Sequence, residues 1–397
     1  MNEYDVVVVG ARVAGASTAM LLARAGLRVA LVDRGSYGSD TLSTHALMRA
    51  GVLQLSRWGL LDRVAAAGTP PVRSVTFHYP GAEPVHVSIK PSAGVDALYA
   101  PRRHVLDRIL VDAAAAAGAD VRYGTTVTGL LHDEQGRVSG VRGLAGDREV
   151  RLDAALTVGA DGIRSVVARE AGARVVRQGR AAGAVLYRYL TGMQADGYQW
   201  AYGASAAAGL IPTNDGQTGV FVSTTPQRMH ALRKGGTDAA FRTLVARAAP
   251  ALEERVAAAG ATGRTRGWGG VPGFVRRSSG PGWALVGDAG YFKDPITAHG
   301  ITDALRDAEL LTDEILEALA GGIPEAVALC RYQATRDRLS HRLFEATEAV
   351  AAYDWDVPQV QRLLRQVSAS MSDEVEHLEG RGRDRLDRRL GSVWTGT

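Results

Sequence analysis

Five residues near the start of the chain have the types and spacing to hold a phosphate and the ribose beside it. Gly10, Arg12, Ala14 and Gly15 lie in GARVAG, and Asp33 follows at the end of the next apolar run. A glycine directly after a strand permits a tight turn, and a second glycine lets the following helix pack closely on the sheet. The helix then offers free N–H groups and the positive end of its dipole to a pyrophosphate. A carboxylate spaced like Asp33 reaches a ribose 2′-hydroxyl and prefers a free hydroxyl to a 2′-phosphate. The middle glycine of such a turn is Arg12 here. Its side chain either folds out onto phosphate or stands exposed while the helix end holds the phosphate alone.

The elements that must position these residues are legible in the hydrophobic pattern. YDVVVV, residues 4–9, is apolar apart from Asp5, as a strand covered on both faces is. A helical stretch to Gly26 and the run LRVALVD complete a strand–helix–strand unit of the dinucleotide-binding type. Residues 36–62 read as a loop and a helix with Leu47, Val52, Leu55 and Trp58 on one face. Residues 102–118 read as an amphipathic helix with Val105, Ile109 and Leu110 inward. Two later buried runs deliver Asp161-Gly162 and Gly287-Asp288. Residues 175–280 are rich in strands and turns, with a helical patch over 238–259, and residues 324–379 are helical. The expected fold class is α/β: a parallel-sheet cofactor domain, a strand-rich insertion and a helical C-terminus.

Composition removes several other classes of function. The chain has 397 residues, 46% hydrophobic and 22% charged, which excludes a disordered chain. Cys330 is the only cysteine, so neither an intramolecular disulfide nor a cysteine-rich metal site can form. The nine histidines show no paired ligand spacing, and no metal is expected. No apolar run approaches the roughly 20 residues that span a bilayer. MNEYDVVVVG carries no secretory leader, so the expected location is cytoplasmic. The formal charge is +4, and of 46 cationic residues only Lys90, Lys234 and Lys293 are lysines. The one locally basic stretch, GRGRDRLDRRLG, has no interleaved aromatics, so no nucleic-acid partner is expected.

Three motifs stand in order: GARVAG at 10–15, ADGIRS at 160–165 and GDAGYFKDPITAHGITDALRDA at 287–308. Together they resemble the FAD-dependent aromatic hydroxylase superfamily, the flavoprotein monooxygenases that include para-hydroxybenzoate hydroxylase. The resemblance implies an FAD-binding, Rossmann-like domain of the glutathione-reductase type, built from residues 1–75, 97–174 and 281–320. It implies a substrate domain over 76–96 and 175–280, and a helical region over 321–397. The first motif, with Asp33 and Arg34, would hold the AMP half of non-covalent FAD. Arg103 would lie beside FAD, Asp161 would serve FAD and NAD(P)H binding, and Asp288, after Gly287, would meet the ribityl chain. The turn from Pro295 through Ala298 and Gly300 to Ile301 would face the flavin ring. Ala298 stands where the family has glycine, and Thr302 where it commonly has asparagine.

The implied chemistry is monooxygenation. NADPH or NADH reduces FAD, O₂ adds to it, and one oxygen atom passes to an electron-rich, aromatic small molecule. Tyr187, Tyr189, Trp200 and Tyr202 alternate along two strands and are candidates for a wall over the substrate, or for plain sheet packing. His45 and His299 are candidate catalytic groups, or hydrogen-bonded loop residues. A second reading is a flavin-dependent reductase similar to the geranylgeranyl reductases, which share the motif order and saturate alkenes without O₂. A flavin-dependent halogenase lacks support because W-x-W-x-I-P is absent. A non-catalytic flavin-binding protein is the third class, favoured by Arg12, Ala298 and Thr302. Substrate identity and oligomeric state are not readable from the sequence.

Overall fold

The computed structural model describes residues 3–394 apart from Ala93, Gln194 and Ala204, with side chains up to residue 381. Most of the basic stretch at 380–391 therefore lies outside the described side chains. The elements used below are β1 (Tyr4–Val9), α1 (Val13–Arg24), β2 (Val29–Val32), α2 (Arg103–Ala116) and β3 (Arg148–Gly159). They are followed by β4 (Ala184–Thr191), β5 (Tyr198–Gly203), β6 (Ala206–Pro212), β7 (Thr218–Thr224) and β8 (Trp283–Leu285). Three helices complete the set: α3 (Gly300–Leu319), α4 (Glu325–Ala351) and α5 (Val357–Trp394).

β1 is buried along nearly its whole length, as its apolar run requires. It pairs in parallel with β2, Val7 opposite Ala30, and with β3, Val9 opposite Gly159. β8 extends the parallel sheet beyond β3, and Asp120–Arg122 extends it beyond β2. The N-terminal part of β3 continues into an antiparallel ribbon with Val138–Ala145 and Thr125–His132. α1, α2 and α3 cover one face of the parallel sheet through Met20, Leu106, Leu110 and Leu305. On α2 it is Leu106 that is fully buried, while Val105 is half-buried; the helix begins at Arg103, and that phase turns 106, 109–110 and 113–114 inward.

The second sheet has seven strands in the order Gly260–Trp268, β4, β7, β6, β5, Ser74–His78, Val85–Ser88. One face packs on helix Thr237–Ala248 through Leu186, Ala208, Val220, Phe241 and Leu244. The other carries Tyr187, Tyr189, Trp200 and Tyr202 toward Val350 and Tyr353. The expected helix over 238–259 is two helices, Thr237–Ala248 and Glu253–Ala258. Pro250, which has no N–H to donate, stands at the break.

Candidate functional site

The carboxyl ends of β1, β2, β3 and β8 open onto one cavity of about 680 Å³, reaching from the α1 N-terminus to the turn at 295–300. Ligands of open α/β sheets bind at this end of the strands. At Gly15 an added Cβ would sit 1.7 Å from the Gly10 carbonyl oxygen, and at Gly10, with φ +104°, it would sit 2.5 Å from that of Ala160. The two glycines therefore let β1, the turn and α1 meet. α1 starts without a side-chain cap and without an acidic residue in its first turn, so its first N–H groups point into the cavity uncompensated.

Asp33 stands at the rim, with its oxygens accepting from Ala11 N at 2.7 Å and Gly35 N at 2.6 Å. The carboxylate thus braces the glycine turn as well as facing the cavity. Arg34 lines the same rim, exposed. Arg12 does not project along the helix end. Its guanidinium donates to the Ser39 carbonyl at 2.7 Å and to Asp107 at 2.8 Å, which ties the 36–44 loop to α2. Arg103 is forked onto the same Asp107 at 3.0 and 3.2 Å, so one buried carboxylate holds two arginines at the cavity wall. Asp161 lines the wall too, but Ser165 Oγ, at 2.5 Å, and Val166 N, at 2.6 Å, donate to it at the start of a short helix. This is the turn-forming role that its Asp-Gly context allows.

At the far end Gly287 (φ +56°) turns the chain after β8, and its N–H donates to Asp307 at 3.1 Å. Asp288 follows on the wall, and burial pushes its carboxyl up to about 6 against the pull of Lys293 and Arg103. Pro295, Ala298, Gly300 and Ile301 all line the cavity. Ala298 is left-handed (φ 50°, ψ 36°), a conformation that glycine adopts without strain. Thr302 accepts from Met48 N at 3.2 Å, so the residue in place of asparagine pins the loop before helix Arg49–Arg57 to α3. Asp294 is buried, accepts from Gly183 N at 2.6 Å and Ile296 N at 3.0 Å, and is pushed up to about 7 by burial.

Neither histidine candidate lines the cavity. His45 is buried with φ 64°, its Nε2 against the Tyr189 hydroxyl and its Nδ1 without a partner. Burial and the nearby Arg102 and Arg103 push it down to about 3, so it is neutral. His299 is buried behind the turn with Nε2 2.6 Å from Glu374 of α5. Of the four aromatic candidates only Tyr187 reaches the cavity. Tyr189 lies under Arg102, whose guanidinium carbon is 3.6 Å from the ring centroid. Trp200 packs on Phe221 and Tyr202 stacks with Tyr79. Those three fill the core between sheet and helices.

The residues that join Tyr187 around the turn are Val185, Phe221, Ser223, Trp268, Phe292, Lys293 and Ile296. None was singled out from the sequence. Alternation along β7 brings Phe221 and Ser223 to the Tyr187 side, and the rarity of lysine marks Lys293, but nothing local ties Trp268 to the site. Among the described residues, His299, Asp303 and Glu374 lie close enough to share a metal ion. Arg306 already donates to Asp303 at 2.9 Å and to Glu374 at 3.0 Å, and Lys293 pairs with Asp303, so side-chain cations fill the place of a metal.

The site and fold define a flavoprotein oxidoreductase. The sequence profile of the FAD binding domain family matches residues 3–347, and the chain belongs to that family. Digeranylgeranylglycerophospholipid reductase of Methanocella arvoryzae is 28% identical over 345 residues, 84% of this chain and 82% of the relative. Menaquinone reductase of Mycolicibacterium smegmatis is 28% identical over 352 residues, 79% of this chain and 76% of the relative. Pseudomonas aeruginosa PqsL in complex with 2-aminobenzoylacetate shares the fold with a TM-score of 0.76 and 23% identity, over 93% of this chain and 99% of that one. A geranylgeranyl bacteriochlorophyll reductase-like protein of Thermoplasma acidophilum shares it with a TM-score of 0.71 and 20% identity, over 95% and 98%. FAD fits the residues present: the uncapped N-terminus of α1 lines the cavity where a pyrophosphate would sit, and Gly300 has no atom within 4 Å of an added Cβ, leaving room for a ring against the backbone.

Proposed function

We propose that the chain is a flavin-dependent reductase that saturates a carbon–carbon double bond in an apolar, isoprenoid-type substrate. The observation that carries this reading is the wall beside the 295–300 turn, where Val185, Phe221, Trp268, Phe292 and Ile296 offer an apolar slot. Such a slot suits a hydrocarbon chain and excludes water from the reacting carbon. Relatives named as reductases of lipids and of menaquinone, matched over more than three quarters of this chain, support it.

FAD, reduced by NADPH or NADH, supplies the hydride when bound. The chain would hold its pyrophosphate at the α1 N-terminus, its ribose near Asp33, its ribityl chain near Asp288 and its ring against Ala298 and Gly300. Arg103, locked by Asp107, would place a fixed positive charge on that path. Tyr187 and Ser223 put two hydroxyl groups on the slot. They favour a second reading, oxygenation of an electron-rich aromatic compound with O₂.

One experiment separates the two. The FAD-loaded protein is reduced without oxygen and given a geranylgeranylated lipid or a menaquinone, and products are weighed by mass spectrometry. A gain of two hydrogens per double bond is expected. No anaerobic product, with a gain of one oxygen from a phenolic substrate in air, overturns the reductase reading.

A further inference from the structure

Lys293 is one of only three lysines in a chain whose other 43 of 46 cationic residues are arginine. It is also the lysine that lines the cavity. The difference matters chemically, because arginine keeps its proton in any protein environment whereas burial makes lysine give it up. Lys293 is 5% exposed, paired with Asp303, with Nζ 4.9 Å from the Tyr291 ring centroid. The groups around it come from several elements. Asp303, Arg306 and Asp307 come from α3, and His299 stands just before it. Glu374 comes from α5, Asp288 from the turn after β8, and Arg336 of α4 acts on the same Tyr291.

These charges do not balance. Arg306 donates to Asp303, Asp307 and Glu374. With His299 neutral, Lys293 and Arg306 face those three buried carboxylates, and Asp288 adds a fourth when ionised. Burial and Arg306 push the Lys293 ammonium down to about 7, while Glu374, Asp288 and Asp307 pull it back up. Burial alone would raise the Glu374 carboxyl, but the Arg306 guanidinium, Lys293 and the hydrogen bond with His299 lower it. The proton on Lys293 is thus held by a narrow margin, and a further charge placed in the cavity shifts that margin.

We propose that Lys293 is a redox-linked proton acceptor, binding a proton when two electrons leave the bound flavin negatively charged and releasing it when they pass on. Two electrons and one proton give the reduced flavin anion. A second proton, from solvent, converts the Lys293 amine to ammonium, so the net charge of the closed cavity is unchanged. Transfer of a hydride to any acceptor returns the flavin to its oxidised form and frees the lysine proton. The proposal rests on FAD binding and not on which substrate accepts the hydride.

The test is a spectroelectrochemical titration of the FAD-loaded protein from pH 5.5 to 9. In the wild type the midpoint potential is expected to fall more steeply over a window above pH 7, by one extra proton per two electrons, about 30 mV per pH unit. Lys293→Met lacks that extra steepness, lies below the wild type at low pH and meets it at high pH. Lys293→Arg also lacks it but keeps the high potential throughout, because its charge never leaves. Where Lys293→Met fails to retain FAD, lysine-selective ¹⁵N NMR of the wild type reads the same event, with only three amines to assign. A Lys293 proton bound at least tenfold more tightly in the reduced than in the oxidised protein supports the proposal. Equal affinity in both states, or equal slopes in wild type and Lys293→Met, overturns it.

Discussion

Gly300→Ala separates what the apoprotein needs from what the cofactor needs. Gly300 is the first residue of α3, exposed on the cavity wall, and no atom lies within 4 Å of an added Cβ. The apoprotein therefore meets no clash, and exchanging glycine for alanine in a helix stabilises by up to about 1 kcal/mol. The bound ring, in contrast, would have to share its space with a methyl group. Overpacking of that size costs roughly 1–3 kcal/mol, which at about 1.4 kcal/mol per decade weakens FAD binding by roughly 5- to 150-fold. The assay pairs thermal melting of the apoprotein with FAD titration by flavin fluorescence quenching. Gly15→Ala is the opposing control. Its Cβ would meet the Gly10 carbonyl at 1.7 Å, so the apoprotein itself melts lower. A Gly300→Ala protein that melts no lower and binds FAD as tightly as the wild type would refute the placement of the ring against this turn.

Three further outcomes are expected. Ala298→Gly relieves a left-handed alanine that costs roughly 1–2 kcal/mol and gives back part of that in chain entropy, so chemical denaturation shows a small gain in stability or none, and a clear loss contradicts the strain. Asp107→Ala strips both Arg12 and Arg103 of their shared partner; with Arg12 partly exposed the loss is roughly 1–3 kcal/mol, and faster proteolysis within 36–44 would accompany it. For His45, burial and two arginines lower the folded-state pKa to about 3, below the ordinary value of 6.5. The folded protein then binds fewer protons than the unfolded one, so stability present above pH 6.5 is lost as pH falls toward 3. His45→Asn tolerates φ 64° and does not titrate, so its denaturation midpoint changes less across that interval.

What could be read from the sequence follows from the range of each interaction. The strand–glycine–helix–strand unit is local, and Gly10 and Asp33 sit at the cavity rim because nearest-neighbour geometry puts them there. Asp288 and the 295–300 turn are legible for the same reason. The partners of single polar side chains are not. Arg12 reads equally as a phosphate contact or an exposed residue, and its partner Asp107, 95 residues away, leaves no trace in the local pattern. Asp161 reads as a cofactor ligand or a turn former, and on the cavity wall its oxygens accept from Ser165 and Val166. The aromatic alternation on β4 and β5 named a sheet face correctly, but the distance of each strand from the turn decides that Tyr187 is reached and Trp200 is not. Glu374 carries no local signal, because only the packing of α5 brings it under the turn.

That last contact makes the C-terminal helix part of the foundation of the site. The family profile ends at residue 347, yet His299 and Arg306, inside it, are satisfied by a carboxylate from residue 374. A chain shortened to the shared family region would leave a buried histidine and a buried arginine facing a gap directly behind the 295–300 turn. Grafting the terminal helix of another relative would do the same unless it brought an acid to that depth. Any redesign of the inner turn therefore has to include the outer helix.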